Sequence, residues 1–444
     1  MKVKPEDLRT ANSIAGIKEG SAGASKKNYW NGVHKLTTKE REGKLLLKTN
    51  DGSLWLEWSI PYEDSLIEID SLVQEAAFDY AAKMEGGSLE VTRANRIIHL
   101  GKQQFSYPLR EETPQQYPDP KPEGTPIRWT CPTATLASCL RFVAPFIDET
   151  NPNANKSVAT LFTNGELKAG NPQRFAFVEG LNAKADMSFK SRTCKAVSTF
   201  LSRIGDIVEI SVYNNLYEFK DPVQGHRLAV LAETGRFMQA LQDLSNRILE
   251  IDQVDRKTLY QRAVVFGGAL REGIDRLNIE IKGENELASL KVSTPGEQND
   301  IAQDEFGIYR TFPEKANEAP EQLAERKKPI EYAMSRQALV DSLGAMDGTT
   351  ITFRYCGRMT LIEDELVAED GGAALPKKTV LILTKSLAQA AQEEIAQKQK
   401  LVEETGAKKK AEEEKAKKAK EEDKKTGAKD DEEAVAVVTA GAAK

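Results

Sequence analysis

Histidine and cysteine are nearly missing from this chain. Its 444 residues hold three histidines (His34, His99, His226) and four cysteines (Cys131, Cys139, Cys194, Cys356). A structural zinc site needs a close set of such ligands, and the nearest cysteines, Cys131 and Cys139, have the wrong spacing. A disulfide-stapled secreted protein carries more cysteine and a signal peptide. The segment Met1–Gly20 shows no apolar core, so neither secretion nor mitochondrial targeting is expected. Long apolar runs are lacking too: none approaches the roughly 18 residues of a membrane span. The sequence contains no P-loop, no G-x-G-x-x-G, no H-E-x-x-H and no nucleophile elbow. Acidic neighbours such as Glu63 and Asp64 have nothing to mark them as an acid/base pair. The expectation is a reduced, cytoplasmic, non-enzymatic chain with no cofactor, no metal site and no catalytic residue.

What is present is charge. Lys plus Arg total 62 and Asp plus Glu 68, a net charge of −6, with 29% charged and 40% hydrophobic residues. At about 150 residues per domain the length predicts about three domains. Composition changes sharply near Lys385. Residues 386–444 hold 13 Lys and 14 acidic residues, and no aromatic residue follows Tyr355. Ala407–Lys425 is Lys/Glu/Ala low complexity that cannot bury a core, so it reads as disordered or as a solvated single helix. It serves either as a solubilising tail or as a tethering arm. A second break is Glu111–Pro126, whose five prolines (114, 118, 120, 122, 126) predict an extended interdomain linker.

Between these breaks one unit recurs three times: an amphipathic helix, a glycine stop, then alternating strands. The first copy is a helix over Asp70–Met84, stopped by Gly86-Gly87, with strands Ser88–Val91 and Arg96–Leu100. The second is a helix over Cys194–Ile204, stopped by Gly205, with strands Ile207–Val212 and Leu216–Phe219. The third is a helix over Ser335–Met346, stopped by Gly348, with strands Thr350–Tyr355 and Met359–Ile362. Each is preceded by another helix (Leu8–Ile17, Thr133–Ile147, Asp255–Leu270) and its own strands. The glycines 87, 205 and 348 lie 118 and 143 residues apart, too far for a solenoid and right for tandem α+β domains.

A helix whose apolar stripe packs on a sheet leaves its opposite face free. That face carries Arg141 and Ser138 in the Thr133 helix. In the Cys194 helix it carries Lys195, Thr199 and Ser202, with Arg203 beside them. In the Asp255 helix it carries Lys257 and Gln261, flanked by Arg262 and Arg271. In the Ser335 helix it carries Arg336 and Gln337, with Asp341. Small and basic residues in these places suit close passage of a phosphate backbone, and equally an ordinary solvated face. Their recurrence in an acidic chain favours the former, although Glu75 and Asp79 offset Lys83 in the first copy.

The ordered pattern over residues 1–385 resembles the bacterial DNA polymerase III β sliding clamp family. The segment Ser335–Phe353 looks like the family's late helix and the strand after it. Gly273–Phe306 looks like its strand, turn and acidic stretch. Glu90–Leu109 resembles the strand pair that closes its first domain. Thr163-Asn-Gly-Glu-Leu-Lys-Ala stands where the family has T-D-G-H-R-L-A, with Glu166-Leu167 replacing His-Arg. Gly225-His226-Arg227-Leu228-Ala229 spells part of that string literally but at the wrong place, and reads as a strand with Leu228 and Val230 facing the core. The chain also continues past Thr379–Thr384, where the family has its last strand. Such drift suits a phage or mobile-element copy.

The resemblance implies three tandem clamp domains, each with two helices against antiparallel sheets. They would cover residues 1–112, 127–235 and 236–385, with a linker over 113–126 and a tail over 386–444. It implies a head-to-tail homodimer ring whose helices line the hole, encircling double-stranded DNA without base readout. The channel residues would be Arg141, Lys195, Arg203, Lys257, Arg262, Arg271 and Arg336. DNA polymerase and a clamp loader would dock short peptides in an apolar pocket containing Thr163, Gly165, Leu167, Leu381 and Leu383. The acidic balance would sit on the outer surface. Two other readings stay open: a clamp-fold regulatory or transcription-associated binding protein, and an enzyme with an unrecognised site.

Overall fold

The computed structural model describes residues 2–3, 5–15, 33–40, 44–62, 70–74, 89–92, 97–100, 107–108, 117–171, 174–237, 250–270, 275–283, 285–295, 302–312, 318–355, 359–364, 376–393 and 396. The helices are α1 (Pro5–Ala15), α2 (Thr133–Val143), α3 (Ser191–Leu201), α4 (Arg256–Gly267), α5 (Pro320–Arg326) and α6 (Arg336–Ala345). The strands pair antiparallel throughout, so the class is α+β.

The described residues form three sheets. A four-stranded sheet runs Lys2–Val3, Leu89–Thr92, Ile97–Leu100, Tyr107–Pro108. An eight-stranded sheet begins with four strands from residues 33–74 and continues with four from residues 127–231. They are joined where Leu54–Ile60 pairs with Arg227–Leu231. A twelve-stranded sheet adds four strands of residues 159–189 to eight of residues 250–383. Its join is Arg174–Glu179 against Lys377–Leu383, with Phe175 opposite Leu381 and Phe177 opposite Thr379. The two joins make long continuous sheets and leave fewer exposed edges than separate domains would.

The helices lie along these sheets in pairs. α2 packs on α3, α4 packs on α6, and α2 also meets α6. α3 buries Cys194, Val197, Phe200 and Leu201, the stripe its sequence spacing predicts. Each large apolar side chain so buried contributes about 1.5–3 kcal/mol. Helix starts follow cap chemistry: Asp255 Oδ1 accepts from Thr258 N at 2.7 Å, and Ser335 Oγ accepts from Ala338 N at 3.1 Å. One apolar core runs without interruption from Ala11 through Phe200 and Leu259 to Ile382. Leu228 and Val230 belong to it, in strand Arg227–Leu231. Among the described residues no helix is long and apolar enough to cross a membrane.

Two expectations are corrected. The helix expected over Asp70–Met84 does not begin there: Asp70–Gln74 is a strand paired with Val33–Thr37, and Leu72 is buried. Ser-Leu-Val-Gln suits either period, and the open edge of the neighbouring strand decides the matter. Residues 75–88 lie outside the described residues. The segment Thr294–Pro329 is rich in Pro and Glu and reads from its sequence as a long loop, whereas it holds strand Gln303–Thr311 and α5.

Residues 117–126 of the Pro-rich segment are fastened down along the eight-stranded sheet. Tyr117 is buried against Leu72, and its hydroxyl donates to Lys48 O at 3.3 Å. Asp119 meets Lys48 at 3.0 Å. Farther along, Asn214 N donates to Glu123 O, and the Asn215 side chain holds Lys121 O and Glu123 N. Residues 387–393, inside the segment read as tail, are helical. Ser386 and Gln389 cap that turn reciprocally, each side chain accepting from the other's backbone N–H.

Candidate nucleic-acid interface and docking groove

The helix faces turned away from the core carry the basic residues. Arg141, Lys195, Arg203 and Lys257 are all exposed. Among the described residues none of the four forms a salt bridge. Two other expected channel residues are engaged. Arg262 Nε lies 2.5 Å from Asp304 Oδ2, which ties α4 to the strand Gln303–Thr311. Arg336 is half-buried. Its guanidinium lies across Gly267, where an added Cβ would stand 2.7 Å from Nη1, and its Nη2 donates to Gln337 Oε1 at 3.1 Å. Arg336 therefore packs α6 on α4. Arg271 lies outside the described residues.

Arg192 was missed. The sequence places the helix start at Cys194, whereas α3 begins at Ser191, which puts exposed Arg192 in its first turn, three residues before Lys195. Its Nη2 donates to Ser53 Oγ at 2.8 Å and bridges α3 to the turn before strand Leu54–Ile60. The resulting surface is a helical face of Arg192, Lys195, Thr199, Ser202 and Arg203. Such short and cationic side chains contact phosphates without reading bases.

On the opposite side of the twelve-stranded sheet lies a second feature. The turn Thr163–Leu167 is built on Gly165, whose φ is +83° and whose Cβ, if present, would stand 2.2 Å from Leu181 O. Only glycine fits that conformation and that approach. Thr163 is exposed, and its N–H donates to Asp186 Oδ1 at 2.8 Å. Leu167 is a correction to the expected pocket: it is fully buried in the main core, paired with Leu161 and Val178. Strand alternation turns it to the helix side of the sheet. Leu381 is half-buried and Leu383 is 40% exposed, both on the side away from the helices.

The floor there is aromatic, and sequence reasoning did not name it. Phe175, Phe177 and Phe237 form a small cluster separate from the main core, with Leu381 packed against it. Phe175 stands 5.4 Å from Phe237 and 6.4 Å from Phe177, centroid to centroid. Lys168 Nζ lies over both Phe162 and Phe177, at 5.3 and 5.2 Å. It also pairs with Glu166 at 2.7 Å and so holds that carboxyl below its ordinary range. The signal was available in Arg-Phe-Ala-Phe-Val-Glu: a strand apolar on both faces needs a second cover.

The remaining reactive groups are set for packing. Burial pushes the Cys131 thiol up to about 11 and the Cys139 thiol up to about 12, and it also raises Cys194. A thiol so raised is not a nucleophile at neutral pH. Among the described residues no group of three or more His, Cys, Asp or Glu could hold a metal ion.

No family model and no curated protein sequence matches the chain. Solved structures do. The DNA polymerase III beta subunit of Thermotoga maritima superposes with a TM-score of 0.64 at 14% identity, covering 87% of this chain and 99% of that one. The DNA polymerase sliding clamp of Pseudomonas aeruginosa, solved with a ligand, gives 0.63 at 11% identity, covering 87% and 99%. The DNA polymerase III subunit beta of the same organism gives 0.62 at 11%, covering 87% and 100%. The chain has the sliding-clamp fold over nearly the whole length of those proteins.

Proposed function

We propose that this chain is a divergent member of the sliding-clamp family. It would encircle duplex DNA and tether DNA polymerase and other replication proteins, without catalysing a reaction itself. The observation that carries the reading is the division of labour across the sheets. Exposed cations stand on the helix side, and an aromatic docking floor stands on the other, in a fold shared with clamps end to end. The domains would be residues 1–112, 127–235 and 236–385, with residues 386–444 as an appendage, in a protein of the cytoplasm.

Two strand edges without a partner among the described residues support ring closure. In the four-stranded sheet, Tyr107–Pro108 is the last strand. In the twelve-stranded sheet, Tyr309, Arg310 and Thr311 pair with residues 251–253, but residues 303–308 pair on one side only among the described residues. Beside that edge, α4 exposes Val264 (43%) and Val265 (64%). A head-to-tail homodimer would pair the edges and cover the valines.

Retention on DNA tests the reading. A clamp opened and loaded onto nicked circles stays through a high-salt wash and is released when the circle is linearised. Equal loss from circles and linear duplex, or a chain that is strictly monomeric at micromolar concentration, overturns it. A V264D/V265D double variant should be monomeric and lose retention while keeping its thermal transition.

A further inference from the structure

The aromatic floor is already occupied. Phe237 is 2% exposed, although it belongs to the connection between strands Arg227–Leu231 and Glu250–Asp255 and to neither sheet. Its ring lies on Phe175, and Leu381 closes against the same cluster. Four contacts lay the segment down. Phe237 N donates to Thr160 Oγ1 at 2.8 Å, a buried hydrogen bond, and Thr160 is held in turn by Ser188 Oγ at 3.0 Å. Arg236 pairs with Asp186 and stacks its guanidinium 5.1 Å from the Phe162 ring. Arg236 N donates to Asn155 Oδ1 at 2.8 Å.

This is how a linear peptide binds a groove: one aromatic anchor in an apolar pocket, one backbone hydrogen bond and one charged neighbour on the rim. Phe175 and Phe177 leave the main core on the far side of their strand, and there Phe237 covers Phe175 while Lys168 lies over Phe177. We propose that the groove on Phe162, Phe175, Phe177 and Leu381 is a linear-peptide site which the chain keeps filled with its own Arg236-Phe237. A partner segment carrying an aromatic anchor enters by displacing it. The proposal rests on the clamp reading only for the identity of the partner; the occupied groove stands on the contacts above.

Self-occupancy sets a threshold. A tethered segment competes at the high effective concentration of an intramolecular ligand, so a single weak aromatic peptide does not open the groove. A partner with further contacts along the sheet does. The groove is selective for an aromatic ring beside a cation, because Asp186 awaits the positive charge that Arg236 now supplies.

The probe is a synthetic peptide carrying residues 233–241 of this chain (Glu-Thr-Gly-Arg-Phe-Met-Gln-Ala-Leu), added in trans to the full-length protein. Binding to Phe237→Ala should be at least tenfold tighter than to the unsubstituted chain. The same peptide with Ala for its Phe should not bind. Arg236→Ala removes the segment's own pairing with Asp186 and its stacking on Phe162, and it keeps Thr160 and every ring of the floor, so it should also gain peptide binding. It serves where Phe237→Ala does not fold. Equal affinity for the unsubstituted chain and both variants, or no binding to any folded variant, overturns the proposal. Retention on circular DNA is measured on the same samples. Loss of retention with gain of peptide binding refutes the clamp reading alone, and retention without peptide binding refutes only the self-occupied groove.

Discussion

Lys378 buries its ammonium 2.6 Å from Asp347 Oδ2, and the two residues stand at the meeting of the last strand with the turn after α6. Ser138 of α2 completes the contact, 2.6 Å from Lys378 Nζ and 2.7 Å from Asp347 Oδ2. Phe142 offers its ring face to the same ammonium at 5.6 Å. One cation thus fastens α2 to the segment that carries the last strand and α6. Close by, Arg174 repeats the theme, 2.5 Å from Asp341 and 2.8 Å from Pro145 O.

Removing Asp347 strands an ammonium that is 2% exposed. Asp347→Ala should cost roughly 1–3 kcal/mol, below the full cost of an orphaned buried charge because Asp347 is itself half-exposed. Partial burial tends to raise its carboxyl, but hydrogen bonds from Lys378 and Ser138 prevail and hold it below the ordinary range. The native state therefore binds that proton less readily than the unfolded chain. The contribution is full above the ordinary carboxylate range and is lost as pH falls through the depressed value. Urea titrations of the parent and Asp347→Asn should diverge at pH 7 and converge toward pH 3. Constant separation across that range rules the linkage out.

Gly165→Ala should destabilise by about 1–3 kcal/mol from its left-handed backbone alone. The contact of the new Cβ with Leu181 O adds to this, because that carbonyl belongs to backbone that must move. Gly205→Ala is the control: nothing lies within 4 Å of its Cβ position, and its stability should change little. Denaturant midpoints for the two variants settle the comparison. The Gly165 variant should also lose the bond from Leu181 N to Gly165 O, visible as faster exchange of the Leu181 amide.

Elements with one dominant period were legible in the sequence. Thr350–Tyr355 and Ile207–Val212 have the predicted bounds, and Asp255 and Ser335, where helices were expected to start, are their N-caps. Strand Gln303–Thr311 was not legible because its inward positions near one end are Ile308 and Arg310, an unusual core residue. Arg310 is buried beside Asp252 at 3.2 Å, so polarity here marks an internal ion pair and not a loop. Burial pushes the Asp252 carboxyl up to about 7 against the pull of Arg310. The cations on α2 and α3 could be read from helical spacing. The roles of Arg262 and Arg336 could not, because Asp304 and Gly267 come from elements distant in sequence. Phe237 was invisible for the same reason: nothing local says that a connecting segment lies on Phe175.

Lys48 should prove the most sensitive charged position of the eight-stranded sheet. It is nearly buried among Glu40 (2.5 Å), Asp119 (3.0 Å) and Glu57 (3.4 Å), and Glu57 continues the row to Arg227 at 3.3 Å across the join. Lys48→Met leaves Glu57 and Glu40 facing each other without the shared cation and should cost roughly 3 kcal/mol. Asp119→Ala removes an exposed partner only and should cost less than about 1 kcal/mol. Thermal unfolding of both variants in low salt checks the ranking, and equal losses would refute the hub role of Lys48.

The exposed cations and the engaged ones should separate on DNA. Lys195→Ala and Arg203→Ala change solvated side chains on α3, so the thermal transition should stay within about 0.5 kcal/mol of the parent. Each should lower the slope of log K against log salt by about one if it meets one phosphate, weakening all duplex sequences alike. Arg336→Ala should behave in the opposite way. Its guanidinium spans Gly267 and pairs loosely with Asp275 at 3.8 Å, so the loss falls on the packing of α6 against α4. Stability should drop while the salt slope stays unchanged. Fluorescence anisotropy on a labelled duplex over 50–200 mM salt, with melting curves on the same samples, measures both quantities. A slope change for Arg336→Ala, or none for the α3 pair, would place the DNA on another face of the molecule.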